Sequence, residues 1–262
     1  MVTRLVLLHD LCEKLNQKSH FPVRGIATDA TITTLVDSGL AQRPGLLYSS
    51  GDANAWDRKW VYIEPHSDET RVTEDGYVGS TGTLTLSPAL VTDIGATGTA
   101  TSTTSTSLTD TGAAFNTSGV RLVGAVVQAD DSRLTVTSNT GTVLTGTGGW
   151  DNGTPAGTAA YTVGPPYMIS DVSFREMINT INTVLRSSDG SFPELSADTD
   201  STPADQHFIV WTAIWLIKLN HGDEDWRDWA ELALARAERL SYPTLLPIDD
   251  GVAGLALRSR RE

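Results

Sequence analysis

A degenerate internal repeat constrains this chain more than any other feature. The first copy opens Thr33-Thr34-Leu35-Val36-Asp37-Ser38-Gly39, and the second opens Thr106-Ser107-Leu108-Thr109-Asp110-Thr111-Gly112. Each opening is followed by an Arg-led segment, Arg71-Val72-Thr73 and then Arg133-Leu134-Thr135. Each closes with a Thr-Gly-Thr turn, in Thr81-Gly82-Thr83-Leu84 and in Thr140-Gly141-Thr142-Val143. Openings, middles and closings that recur in one order predict a duplicated β unit. A polar, Thr-rich unit of that kind serves architecture or binding more than chemistry.

The repeat sits in a chain whose two ends read as helix. At 262 residues the protein is long enough for about two or three domains. Its formal net charge of −13 opposes nonspecific contact with nucleic acid along most of the surface. The single cysteine, Cys12, excludes an intramolecular disulfide and falls in an apolar helical pattern, as a small core residue would. No apolar run approaches the length of a membrane span. The first fifteen residues meet His9, Asp10, Glu13 and Lys14 too early for a signal peptide, so synthesis in a cytoplasm is expected.

Residues 3–17 read as a helix capped by Thr3, with Leu5, Leu8, Cys12 and Leu15 on one face. From Ile26 to Leu90 short alternating stretches are broken by Gly, Pro, Asp and Asn. Trp60-Val61-Tyr62-Ile63 is the strongest strand signal. Residues 51–57 read as an exposed loop, and residues 91–104 as a linker entering the second module. An edge strand is expected in the C-terminal half of the Ser/Thr-rich run from Thr97 to Thr111. Val120 to Gln128 and Arg133 to Ser138 read as strands around a turn at Asp130-Asp131. Gly164-Pro165-Pro166 reads as a domain boundary.

The period then changes. Ser173 and Glu176 form a capping box, ahead of Phe174, Met177, Ile178, Ile181 and Leu185 at helical spacing. A polar loop from Ser187 to Ser201 follows. Thr202-Pro203 reads as the start of the next helix. That helix carries Phe208, Trp211, Ile214, Trp215 and Leu219, with Ile209, Val210, Leu216 and Ile217 on its other sides. A helix apolar all round must be covered all round, which predicts a contact with another subunit. His221-Gly222 ends it. The last helix opens at Asp223-Glu224-Asp225, carries Trp226, Trp229, Ala230, Ala233, Ala237 and Leu240, and ends with Arg236 and Arg239 nearby, as the macrodipole favours. Residues 243–262 read as an extended tail with Leu245, Leu246, Leu255 and Leu257, and a basic end at Arg258, Arg260 and Arg261.

Signals for chemistry are weak. The five histidines are scattered, and no HExxH, CxxC, Walker or GxSxG pattern occurs. Glu64, His66 and Asp68 would share one face of an extended segment, within reach of a cation. A polar hexapeptide after a strand more often forms a turn. Asp130-Asp131 and Asp249-Asp250 suit turns better than paired catalytic carboxylates or calcium ligands. No catalytic residue, metal site or cofactor is expected. Trp56 and Trp150 are the aromatics expected to be exposed and available for binding.

The β segments resemble short repeats of structural proteins of tailed bacteriophages. The strings that carry the resemblance are Thr106-Ser107-Leu108-Thr109-Asp110-Thr111-Gly112-Ala113-Ala114-Phe115 and Gly82-Thr83-Leu84-Thr85-Leu86-Ser87-Pro88-Ala89-Leu90. The ending hairpin, Gln206 to Leu240 with His221-Gly222-Asp223 at its turn and an Ala-rich string from Ala233 to Leu240, is similar to the closing hairpin of phage head-to-tail adaptor proteins. The resemblance implies a non-enzymatic virion subunit of the neck, between capsid and tail. It implies a ring of about twelve copies, bound to the portal and to a tail or further neck protein, with nucleic acid only passing through the channel. The alternative is a decoration or host-glycan-binding virion protein built on the β-modules, with Trp56 or Trp150 on the glycan.

The fold expected is therefore α+β. An N-terminal helix (residues 1–20) and C-terminal helices (167–242) make a helical domain, with two small antiparallel β-modules (26–92 and 97–164), barrel or sandwich-like, inserted between them, and a tail over 243–262. The interface residues expected are Phe208, Trp211 and Trp215 in the helices, with Leu245, Leu246, Leu255, Leu257, Arg258, Arg260 and Arg261 in the tail.

Overall fold

The computed structural model describes residues 1–15, 24–41, 56–117, 119–187, 192, 194–240, 244–246 and 256–258. The chain is α+β, with helices α1 (Arg4–Leu15), α2 (Ser38–Ala41), α3 (Phe174–Ser187), α4 (Gln206–His221) and α5 (Trp226–Leu240) and several antiparallel sheets. It divides into two compact units, one of Met1–Ser19 with Val172–Glu262 and one of His20–Asp171.

In the β unit, a seven-stranded sheet runs in the order Arg24–Ile26, Pro166–Ser170, Trp60–Ile63, Asp68–Val78, Thr83–Leu86, Thr34–Val36, Asp29–Ala30. The second copy forms two four-stranded sheets. One runs Ala96–Thr99, Ala160–Gly164, Val126–Ala129, Ser132–Thr135, and the other Ser138–Asn139, Val143–Thr145, Ser107–Thr109, Ser102–Thr104. Taken end to end, these strands recur in the order of the first sheet. The difference is one break. The long Asp68–Val78 strand shifts register between Val72 and Tyr77, and its counterpart splits between Thr135 and Ser138.

In each copy one run of chain serves both ends of this order. Arg24–Ile26 and Asp29–Ala30 are joined by Ala27, whose N–H donates to Pro165 O at 3.0 Å, and Thr28, whose N–H donates to Val36 O at 2.7 Å. Ala100 and Thr101 repeat the arrangement, on Ala159 O at 2.9 Å and Thr109 O at 2.7 Å. Among the described residues no ladder closes into a barrel.

The ladders correct three readings of the repeat. Leu35 faces Leu84 and Leu108 faces Leu144, so Thr83 matches Val143 and the Thr-Gly-Thr strings are offset by one residue. Trp60 faces Arg71 while Val126 faces Thr135, so Arg71 matches Thr135 and not Arg133. Register follows the facing of buried apolar residues, which string identity does not report. Pro166–Ser170 pairs with Trp60–Ile63 and Arg24–Ile26, so the first module closes beyond the expected boundary at Gly164-Pro165-Pro166, with the second nested inside it. The supposed linker holds the strands Ala96–Thr99 and Ser102–Thr104, and in place of the expected Val120–Gln128 strand the ladder begins at Val126 and runs to Ala129. One continuous core, including Leu35, Leu84, Leu108, Leu144, Val61 and Val127, runs through both copies.

In the helical unit α4 is central. It packs against α1, α3 and α5, and this explains its sequence. Phe208, Ile209, Val210, Ala213, Ile214, Trp215 and Ile217 are buried within the chain. The all-round apolar character of α4 therefore needs no second subunit, because three helices cover it rather than two. The helix also starts later than expected. Thr202 belongs to a strand pairing Ser201–Thr202 with Val2–Thr3, and the N-cap is Asp205, whose side chain accepts from Phe208 N at 2.9 Å. Gly222 ends α4 in the left-handed region (φ 74°). In α1 the buried stripe is Arg4, Leu7, Leu8, Leu11 and Cys12, with Leu5 and Leu15 half-buried. Residues 16 and 17 of the expected first helix lie outside the described residues.

The tail is not a single extended run. Thr244–Leu246 pairs antiparallel with Ala256–Arg258, Leu245 facing Leu257. Leu255, Arg260, Arg261 and the Asp249-Asp250 pair lie outside the described residues.

Candidate functional site

The residues singled out from sequence fall in two groups. Trp56 and Trp150, expected to be exposed, are buried: Trp56 is 4% exposed and Trp150 9%. Trp56 stacks edge-on against Tyr77, with ring centroids 6.1 Å apart. The Trp150 indole N–H donates to Thr104 O at 2.8 Å. A large amphipathic ring whose polar edge is satisfied inside the protein is a core element. Neither ring is presented to a ligand.

Phe208 and Trp215 are likewise core residues, 3% and 2% exposed. Trp211 is half-buried and joins Trp226, Trp229 and Leu219 around a small cluster of Trp215, Ala230 and Ala233. His207 packs edge-on against Trp211 at 5.3 Å. Leu232, on α5, is 45% exposed. The α4–α5 hairpin thus carries half-exposed indoles and one exposed leucine.

Ion pairs fix that hairpin. Lys218, the only lysine or arginine of α4, is 6% exposed. Its Nζ donates to Asp225 Oδ1 at 2.9 Å and to Asp223 Oδ2 at 3.5 Å across the Gly222 turn. The acidic run after Gly222 is thus tied to a buried ammonium before any role at the helix dipole. At the other end, Arg236 Nε and Nη2 donate to Asp205 Oδ1 and Oδ2 at 3.0 and 2.6 Å. The Arg236 hydrogen bonds, more than any other contact, hold the Asp205 carboxyl below the ordinary carboxylate range. His221 Nε2 lies 3.0 Å from Glu176 Oε1, linking the end of α4 to the first turn of α3. Ser173 Oγ still accepts from Glu176 N at 3.4 Å.

The Glu64–Asp68 segment forms the turn favoured over a cation face, for a backbone reason. Glu64–His66 forms a 3-10 turn with Pro65 in its first turn, and Ser67 is left-handed (φ 54°), so alternation does not hold. His66 Nε2 sits 3.3 Å from Arg121 O, and burial, more than the neighbouring Arg121 charge, lowers its pKa. Among the described residues no group of three or more His, Cys, Asp or Glu side chains is placed to hold a metal ion. No helix there is long and apolar enough to cross a membrane. The Asp130-Asp131 turn is structural: Asp130 is left-handed (φ 48°) and its Oδ2 accepts from Ala156 N at 3.1 Å.

Sequence reasoning missed the device that fixes each β copy. Tyr167 Oη donates to Asp37 Oδ2 at 2.7 Å, and Tyr161 Oη donates to Asp110 Oδ2 at 2.8 Å. The same aspartates accept from Gly39 N at 2.7 Å and Gly112 N at 2.9 Å through Oδ1. Burial, reinforced by Asp110, raises the Tyr161 pKa strongly. The signal was present, because both aspartates belong to the repeated opening and a tyrosine is the second residue of each copy's last strand, Ala160–Gly164 and Pro166–Ser170.

No family model, curated protein or solved structure matches this chain.

Proposed function

We propose that this chain is a non-enzymatic structural subunit of a tailed-phage particle, a head-to-tail adaptor that forms a ring between portal and tail. The observation that carries this reading is the combination of the phage-type strings in the two β copies with a closing helical hairpin. In sequence the β unit is inserted between the two chain segments that make the helical unit. In this reading α4 is the scaffold of the subunit. The surface that meets neighbouring copies is the Trp211, Trp226, Trp229 and Leu232 face, since Phe208 and Trp215 are enclosed. Half-buried tryptophans are the residues that interfaces favour.

Under the same proposal the tail segment, with Leu245, Leu246 and Leu257 in its two strands and arginines near its end, contacts the portal. Co-sedimentation of the purified full chain with portal rings tests this. The full chain is expected to co-sediment at stoichiometric occupancy, and a chain lacking residues 243–262 to lose that occupancy. Equal occupancy by the shortened chain removes the tail from the connection.

A further inference from the structure

The second β copy carries an open groove of about 390 Å³, inside the roughly 300–1,000 Å³ range of small-molecule sites. It lies along the Ser132–Thr135 strand and the Thr147–Asp151 loop, with Ile26 and Val126 as its apolar part. The first copy shows why space exists there. Val126 faces Thr135 across its ladder, and the matching residues of the first copy are Trp60 and Arg71. The Arg71 guanidinium lies 5.0 Å from the Trp60 ring centroid. One backbone arrangement thus holds a large stacked pair in one copy and two small side chains in the other.

The groove's polar groups are specific. Asp151 Oδ1 accepts from Arg133 N at 2.7 Å, and Asp151 N donates to Arg133 O at 3.1 Å, so a two-bond link holds these two residues side by side. Among the described residues the Arg133 guanidinium and the Thr135 and Thr147 hydroxyls have no protein partner. Thr137 spends its hydroxyl proton on Thr145 O at 3.1 Å. A Cβ at Gly148 would meet nothing within 4 Å, so the loop leaves room beside the polar row.

One cation and one anion side by side give the groove no net charge, and a chain of net charge −13 does not gather anions. Planar donors, a carboxylate acceptor and hydroxyls around an apolar patch match a neutral ring with hydroxyls at its rim and C–H groups on its face. We propose that this groove binds an uncharged oligosaccharide. The proposal stands apart from the adaptor reading, since it rests on the β unit alone, with the second copy lining the groove and Ile26 of the first copy's Arg24–Ile26 strand at its edge.

Saturation-transfer NMR on the full chain tests it with maltotriose, cellotriose and chitotriose as probes. Saturable transfer to at least one of them is expected. Val126→Trp/Thr135→Arg, which installs the first copy's filling pair, and Arg133→Ala, on the surface, are each expected to weaken binding at least about tenfold, the effect of losing one charged hydrogen bond. Should the filled variant misfold, Arg133→Ala decides alone, with an unchanged melting temperature as its control. No saturable transfer to any of the three sugars overturns the proposal. So does undiminished binding by Arg133→Ala, or displacement of the sugar by inorganic sulfate, which would mark an anion site.

Discussion

Tyr161 donates its hydroxyl to Asp110 at 2.8 Å directly over Gly98, and an added Cβ there would lie 2.7 Å from both the Tyr161 oxygen and the Asp110 carboxylate. Gly25 stands in the same relation to Tyr167 and Asp37, at 2.5 and 2.6 Å. The clamp is thus a three-residue device, duplicated with the module. It joins the first and last strands of each copy to the residue that follows the third strand, and glycine is required where the pair crosses the first strand. Gly98→Ala is expected to destabilise the protein by about 1–3 kcal/mol through overpacking, and Tyr161→Phe by about 1–3 kcal/mol through loss of its hydrogen bond to the half-buried Asp110 carboxylate. Because the phenol oxygen is itself one of the clashing atoms, the double variant should cost less than the sum. Urea denaturation of the four proteins in that cycle measures the coupling, and strict additivity would show that the glycine has no part in the clamp.

Lys218 provides an asymmetric test. Removing Asp225 leaves a buried ammonium with only the longer contact to Asp223, so Asp225→Ala should cost about 2–4 kcal/mol. Lys218→Met keeps the volume and removes the charge, and should cost less than about 1 kcal/mol or stabilise. Thermal melts of both variants check the order. The reverse order would mean that the pair is a source of stability rather than a neutralised charge.

Asp205 couples the α4–α5 hairpin to pH. Its carboxyl is held below the ordinary value of 3.8, chiefly by Arg236. The folded protein therefore binds this proton less readily than the unfolded chain. The stabilisation is fully present above the unfolded value and is lost as pH falls through the folded one. Asp205→Asn retains a capping oxygen and loses the ion pair. Unfolding free energies measured between pH 2 and 6 should therefore converge at the acidic end, with wild type more stable above about pH 4. A constant gap across the range would contradict the linkage.

The two kinds of tryptophan on the hairpin separate folding from assembly. Trp215→Ala should cost about 3–5 kcal/mol, as expected for a large enclosed side chain. Trp229→Ala, in a half-buried ring, should cost less in monomer stability and should shift the oligomer toward smaller species. Calorimetry with light scattering reads both quantities. Loss of assembly in neither variant would remove the α4–α5 face from the subunit contact.

Much of the architecture was legible because it rests on periodicity and on local chemistry. The strand at Trp60–Ile63, the stop at Gly222, the Asp130-Asp131 turn and the alternation of β and α segments follow from propensity and turn residues. What was not legible depends on distant partners. Trp56 and Trp150 read as exposed aromatics, and only the fold brings Tyr77 to the first and the Thr104 carbonyl to the second. The apolar circumference of α4 showed that it must be covered, yet not that α1, α3 and α5 of one chain do so. The nesting of one module in the other was hidden because the closing strands, Ala160–Gly164 and Pro166–Ser170, are adjacent in sequence and serve different sheets. The groove beside Arg133 was hidden because its walls become comparable with Trp60 and Arg71 only once register is known.

The adaptor reading stands or falls on the mass of the assembled protein. Native mass spectrometry of the purified full chain, with particle images of the same sample, measures it directly. The account predicts a closed ring of about twelve copies of the 28.0 kDa chain. A monomer, or a trimer alone, at concentrations where portal rings are intact would contradict it.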